Sequence, residues 1–360
     1  MLPDEEGFLQ PVIDAAKCVQ CGKCEVVCPV LHPGQPRTPL ATYAAKAKDD
    51  ELRRISSSGG MFSLLARQVI AKGGTVYGAA FEKGTHRVVH QVARNEEELD
   101  ALRGSKYVQS DMGDTFAAVR SELEAGKEVL FSGCPCQVAG LKNLLGKDWD
   151  NLLTVEVICH AAASPLAWEK YLSCQERMLG KKIARTFSRR NCDWRKYALS
   201  FEVGTSNDNA YLINPASRSY LNGFGWELFS RKSCYDCPSR AFKSGADLTI
   251  GDYWGVETVL PDMDDGLGTS AVMVLSEKGL RLLDEVRGGM DMRSSDVMQV
   301  ARVNKTLFGN HRINSKRGRF FAEVTDSNFD DLIERLTRFP LWYRVLRWVK
   351  WHTIGKPEGA

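Results

Sequence analysis

Residues 128–160 run EVLFSGCPCQVAGLKNLLGKDWDNLLTVEVICH. EVLFS has the apolar continuity of a short buried strand, GCPC is a turn, and QVAGLKNLLG is a helix that Gly146 can stop. LLTVEVI is a second buried strand, ending at Cys159-His160. Two strands joined through a helical crossover run parallel. Cys136 therefore lies past the carboxyl end of the first strand and Cys159 past that of the second. Both fall on one edge of the sheet, the edge at which open α/β sheets place ligands. The expected fold class is α/β (mixed α+β), with this parallel strand–helix–strand unit at its centre.

Met61, Leu65 and Val69 recur every four residues after SSSGG (56–60), which reads as a helix ending at Gly73-Gly74. TVYGAAF (75–81) and RVVHQV (87–92) read as strands, and GDTFAAVRSELEAG (113–126) as a helix. DLTI (247–250) is a third apolar strand, followed by Gly251-Asp252-Tyr253-Trp254, and 270–286 reads as a strand and then a helix. The expected organisation is four stretches: 1–40, 41–126, 127–325, and a basic aromatic helix in 326–360. HPGQPRTPL (32–40), with three prolines, marks the linker after the first. In the last, Trp342, Val345, Leu346 and Val349 share a helical face that Arg344, Arg347 and Lys350 avoid. Such a segment either docks on its own core or a partner, or rests peripherally on an anionic membrane.

The chain has 360 residues, 43% hydrophobic and 26% charged, with a net charge of +3. This is globular composition, and the charge balance calls for no nucleic-acid partner. There is no secretory start and no apolar run long enough to span a membrane. Eleven cysteines, an odd number, argue against a disulfide framework and for thiols kept for metal in a reducing, cytoplasmic setting.

Cys18, Cys21, Cys24 and Cys28, followed by Pro29, give C-x2-C-x2-C-x3-C-P, the bacterial ferredoxin run for a 4Fe–4S cluster. The competing reading is structural zinc, which usually uses two separated C-x2-C pairs. In two-cluster ferredoxins the fourth cysteine of such a run ligates the other cluster. This segment therefore looks like half of a two-cluster module. Either Cys28 completes the cluster, another subunit does, or further sequence lies upstream.

Cys136, Cys159, Cys234 and Cys237 are dispersed, but the strand argument joins the first two and C-x2-C clamps the last pair. Four thiolates suit a second 4Fe–4S cluster or zinc, with buried free thiols as the plain alternative. Cys134 could substitute in the set; Cys174 and Cys192 read as structural. Ser57, Ser58, Gly59 and Gly60 precede a helix whose free amides would favour the phosphates of a dinucleotide, or form a simple cap. Lys106, Tyr107, Gln109 and Ser110 lie in GSKYVQSDMGD (104–114), which either clasps a phosphate or ring or is a surface loop. His160, beside Cys159, either tunes a cofactor or caps a strand. Tyr253 and Trp254 line a flavin or fill the core. SRRNCDWR (188–195) reads as a solvated loop or an acidic-partner site.

DEEGFLQP, CVQCGKCEVVCPV, SSGGMFSLLA, GGTVYGAAF, GSKYVQSDMGD, VLFSGCPCQVAGL, VICHAAASP, CYDCPSR and DLTIGDYWG together resemble the beta subunit of coenzyme F420 hydrogenase/dehydrogenase, with a ferredoxin segment in front. The likeness runs over about residues 8–325. It implies an oxidoreductase with FAD and one or two 4Fe–4S clusters. The body cluster would be held by Cys136, Cys159, Cys234 and Cys237. Relatives usually have threonine where this chain has Cys134, which leaves Cys134 out of the set. The flavin would lie against SSGG and GSKYVQS. The family includes archaeal deazaflavin oxidoreductases and is similar to ferredoxin-dependent reductases of chlorophyll pigments. The expected role is an electron relay between a hydride donor or acceptor at FAD (coenzyme F420-like or another small molecule) and ferredoxin or a redox subunit. The alternatives are an electron-transfer subunit with no substrate of its own, or a ferredoxin-dependent reductase of an unidentified small molecule.

Overall fold

The structure, a computed structural model, describes residues 1–189, 194, 199–203, 211–213 and 218–339. Its strands are β1 (Leu2–Pro3), β2 (Leu9–Gln10), β3 (Ala41–Ala47), β4 (Thr75–Phe81), β5 (Val88–Ala93), β6 (Val129–Gly133) and β7 (Leu152–Val157). Further along come β8 (Ile183–Ser188), β9 (Leu199–Val203), β10 (Tyr211–Ile213), β11 (Leu248–Asp252), β12 (Ser270–Val274) and β13 (Met290–Ser294). One eight-stranded sheet has the order β13-β3-β12-β11-β7-β6-β4-β5. Its centre, β11-β7-β6-β4, is parallel, as the reading of 128–160 requires. The flanking strands β5, β12, β3 and β13 pair antiparallel. Strands from 41–126 and from 127–325 thus share one sheet.

Parallel strands covered on both faces read as near-continuous apolar runs. In β6 all five residues are buried, and they alternate between two cores. Val129 and Phe131 pack with Val138 and Leu141 of the helix Pro135–Leu145; Leu130 packs with Leu65 and Val69 of the helix Met61–Ala71. The result is a three-layer α/β/α body. Glu156, a buried acid in β7, is satisfied by the hydroxyls of Ser244 and of Thr249, the latter at 2.7 Å. A third core holds Tyr171, Tyr220, Phe229, Phe320 and Phe329 under the small sheet β10-β9-β8.

The helix Phe329–Thr337 packs Phe329, Leu332, Ile333 and Leu336 into that third core. The aromatic segment with Trp342, Val345, Leu346 and Val349 lies outside the described residues, as does Cys192. No helix among the described residues is long and apolar enough to cross a membrane. The solvated-loop reading of 188–195 fails at Arg189, which is only 3% exposed. Its burial is compensated by the Asp252 carboxylate at 2.5 Å and the Trp194 carbonyl at 2.6 Å. Cys174 is buried in the helix Pro165–Leu179, as a structural thiol should be.

Candidate functional site

Gly133 pairs with Glu156 and Ile250 with Val157, so β6, β7 and β11 end level with one another. Just past β6, the Gln137 side chain accepts the Cys134 N–H at 2.8 Å and shapes the first turn of the helix that carries Cys136. Past β7, the Ile158 N–H donates to the Ile250 carbonyl at 2.8 Å and extends the ladder to the residue before Cys159. Cys234 and Cys237 come from the 3-10 turn Lys232–Asp236 and the residue after it. That turn is laid against the segment following β7. The Arg231 N–H donates to the Ala162 carbonyl at 2.8 Å, the Ala162 N–H to the Cys234 Sγ at 3.4 Å, and the Arg240 guanidinium to the His160 carbonyl at 2.7 Å.

Cys136, Cys159, Cys234 and Cys237 lie near enough to act on one another electrostatically: the other three thiols act on Cys136, and Cys159 and Cys237 act on Cys234. Cys136 is open to solvent, yet protein surrounds it widely enough to desolvate it. That desolvation, and then the charges of the other three, push its thiol far above the usual range, with Arg231 a partial counterweight. Burial, with Cys159 and Cys237 adding, pushes Cys234 up to about 12. Cys159 is raised first by its contact with the Cys134 thiol and then by burial. Four thiols that raise one another in this way do not all ionise unaided; a bound cationic or iron–sulfur core would remove the repulsion and suits soft donors. The donor set fits a 4Fe–4S cluster. Cys134 is a fifth thiol at its margin.

The two loops expected to hold a flavin touch each other on the same edge. The Ser57 hydroxyl accepts from the Ser105 N–H at 2.8 Å. Ser58 donates to the Thr269 carbonyl at 3.0 Å, the Gly59 N–H donates to the Ser270 hydroxyl at 3.0 Å, and the Gly59 carbonyl accepts from Ala47 at 2.7 Å. The turn is thereby fixed to the ends of β3 and β12. Gly59 is required there because a Cβ would stand 2.4 Å from the Ala45 carbonyl oxygen. Gly60, at φ 81°, starts the helix Met61–Ala71.

In the second loop the side chains divide. Lys106 donates to the Ala101 and Arg103 carbonyls at 3.0 and 2.7 Å; burial pushes its amine down to about 7, and Asp100 opposes this. Tyr107 is raised by burial and stands beside Ser105 and Arg189. The Gln109 carbonyl oxygen accepts from Leu9 at 2.9 Å, and Ser110 lies 2.6 Å from His90 Nδ1. Arg189, whose guanidinium lies over Trp254, and Asp252 complete this wall. Trp254 stacks on Trp194, whereas Tyr253 is fully buried in the core. The hydroxyls of Thr186 and Ser188 are buried without a hydrogen-bond partner.

Residues 1–37 are tied to the body on both sides of the first cysteine run. Glu6 pairs with Arg317, and Arg231 donates to the Leu9 carbonyl at 3.2 Å. Past the run, the Arg37 N–H donates to the Phe242 carbonyl at 3.2 Å. Cys18, Cys21 and Cys24 are exposed and Cys28 is half-buried. His160 is turned on Glu227, with Nε2 2.6 Å from Oε1. Glu227 and His311 have no motif around them, whereas Arg240 closes CYDCPSR, a stretch read for its cysteines alone. Asp252, an acid at the end of an apolar strand, carried a legible signal.

A family model for the carboxyl-terminal part of the beta subunit of coenzyme F420 hydrogenase/dehydrogenase matches residues 126–299, and the corresponding amino-terminal model matches 42–116. A 4Fe–4S binding domain model matches 10–33. The chain is similar to the coenzyme F420-dependent sulfite reductase of Methanocaldococcus jannaschii, at 22% identity over 323 residues. The match takes in 80% of this chain and 48% of that protein, so the chain spans about half the length of this curated relative. It is also similar to a chain of the F420-reducing NiFe hydrogenase complex from Methanosarcina barkeri. That likeness has 17% identity and a TM-score of 0.49, and covers 75% of this chain and 89% of the other.

Proposed function

The chain belongs to the coenzyme F420 hydrogenase/dehydrogenase beta-subunit family, and on that premise we propose that it is an iron–sulfur flavoprotein that relays electrons between a hydride carrier and a redox partner. What supports this reading is that Cys136 and Cys159, just past the level ends of β6 and β7, and Cys234 and Cys237, from the turn laid beside them, act on one another's thiols, on the edge where Ser57 meets Ser105. When bound, FAD supplies hydride exchange, and 4Fe–4S clusters supply one-electron transfer only.

The residues divide the work. Cys136, Cys159, Cys234 and Cys237 hold the body cluster. Cys18, Cys21, Cys24 and Cys28 hold the N-terminal one, whose exposed thiols make it the port to ferredoxin or another subunit. The Ser57–Gly60 turn offers the amino end of the helix Met61–Ala71 to a phosphate. Tyr107, between Ser105 and Arg189, orients the flavin. Lys106, its amine pushed down to about 7 by burial, holds its loop through two carbonyls. The hydride carrier is coenzyme F420 or a small molecule of the same redox class.

The test is iron, acid-labile sulfide and flavin per chain on protein purified without oxygen. About eight irons and one FAD are expected, together with oxidation of a hydride donor by the chain alone. Iron without flavin, or donor oxidation only after a second subunit is added, overturns the flavin assignment in favour of a pure electron-transfer subunit.

A further inference from the structure

His160, Glu227 and His311 come from three separate segments: the loop after β7, the turn after the helix Ser219–Gly225, and the loop after Lys305–Leu307. One ligand atom from each lies within 4.8 Å of the others. His160 Nε2 is 2.6 Å and His311 Nδ1 3.1 Å from the same oxygen, Oε1 of Glu227. His160 Nε2, His311 Nε2 and both Glu227 carboxylate oxygens are buried without a well-formed hydrogen bond, and against the cost of burial His160 and the Ser230 hydroxyl beside the carboxylate hold its pKa low. Glu227 is only 7% exposed. A buried carboxylate left unsatisfied is costly, and one that is crowded by two imidazoles wants a cation more than a proton.

We propose that His160, Glu227 and His311 bind one divalent cation of the zinc class, at a site separate from the iron–sulfur ligands. Two imidazole nitrogens and one carboxylate oxygen are the donors such cations prefer, and three protein ligands leave a position for water or a small ligand. The surroundings hold the ligands in place, as supporting partners at metal sites do. Arg240 donates to the carbonyls of His160, Thr306 and Gly309 at 2.7, 3.0 and 2.6 Å, and so ties the two histidine segments together. The guanidinium charge opposes a cation, but these carbonyls and that of Cys234, at 3.4 Å, absorb part of it. The Tyr235 hydroxyl donates to the Glu227 carbonyl at 3.0 Å. Glu227 is held at φ 58°, in the left-handed region that a non-glycine residue adopts only when its surroundings impose it. The site does not depend on the flavin reading.

The experiment uses the full chain with its clusters, purified without oxygen and stripped of loosely bound metal by a chelator that leaves the sulfide content unchanged. Co2+ is then titrated in, followed by Zn2+ in competition. One saturable equivalent of Co2+ is expected, with ligand-field absorption that Zn2+ removes, while iron and sulfide stay constant. Glu227→Gln and His311→Gln should each lose that equivalent with unchanged iron. No saturable Co2+ binding to the unaltered chain overturns the proposal whatever the variants do. So does Co2+ uptake by Glu227→Gln equal to that of the unaltered chain.

Discussion

The Ser57 hydroxyl accepts from both the N–H and the hydroxyl of Ser105, at 2.8 and 3.1 Å. This joins two loops that are 48 residues apart in sequence. Ser57→Ala removes the tie without changing either backbone. If the two loops form one wall of the flavin site, FAD should bind about tenfold more weakly, the worth of one net hydrogen bond. Flavin fluorescence titration of the deflavinated protein measures it. An unchanged affinity would separate the loops from the flavin.

The thiol set makes a sharper prediction. Serine in place of Cys136, Cys159, Cys234 or Cys237 should each remove about four irons per chain, counted against sulfide. Cys134→Ser and Cys174→Ser should leave both counts alone. Cys134 is the informative one, because its thiol touches Cys159. Loss of iron in Cys134→Ser would make it a ligand and displace one of the four.

His90 ties the second loop to β6: one ring nitrogen is 2.6 Å from Ser110 and the other 3.1 Å from the Ser132 carbonyl. Burial, and then the charge of Lys106, hold its pKa down at about 4. The unfolded chain therefore binds more protons than the folded one between about pH 6.5 and 4. Stability should fall as pH drops through that window, by roughly 3 kcal/mol at most. His90→Asn should flatten the slope of the thermal midpoint against pH across this range. Equal slopes in the two proteins would mean that the ring is charged in the fold.

Arg189 and Asp252 form a buried pair on the wall beneath Tyr107 and Trp254. Arg189→Ala strands the carboxylate in a poorly hydrated place. It should cost about 3 kcal/mol, whereas exposed ion pairs are worth a fraction of that. Denaturant unfolding under anaerobic conditions measures the loss. A cost below about 1 kcal/mol would show that solvent reaches Asp252 once the arginine is gone.

The parallel centre was legible because β6 and β7 are apolar at nearly every position, and their ends fixed where Cys136 and Cys159 had to lie. β3 was not. ATYAAKA is alanine-rich and carries Lys46, whose buried amine pairs with Asp265 at 2.8 Å, 219 residues on. It is a strand because β12 and β13 flank it, a fact held nowhere in its own seven residues. The loop residues were legible as a group but not one by one. Gln109 and Ser110 spend their side chains on Leu9 and His90, partners that only tertiary structure supplies. Glu227 and His311 sit in irregular segments, where spacing carries no signal.

The position of β3 between β12 and β13 also orders the assembly in time. A chain translated only as far as Asp252 already contains both cysteine sets, yet it lacks Thr269 and Ser270, on which Ser58 and Gly59 rest. Loops closed over such long separations form late. During synthesis all the thiols of both sets are therefore made before Thr269 and Ser270, the residues on which the Ser57–Gly60 turn rests.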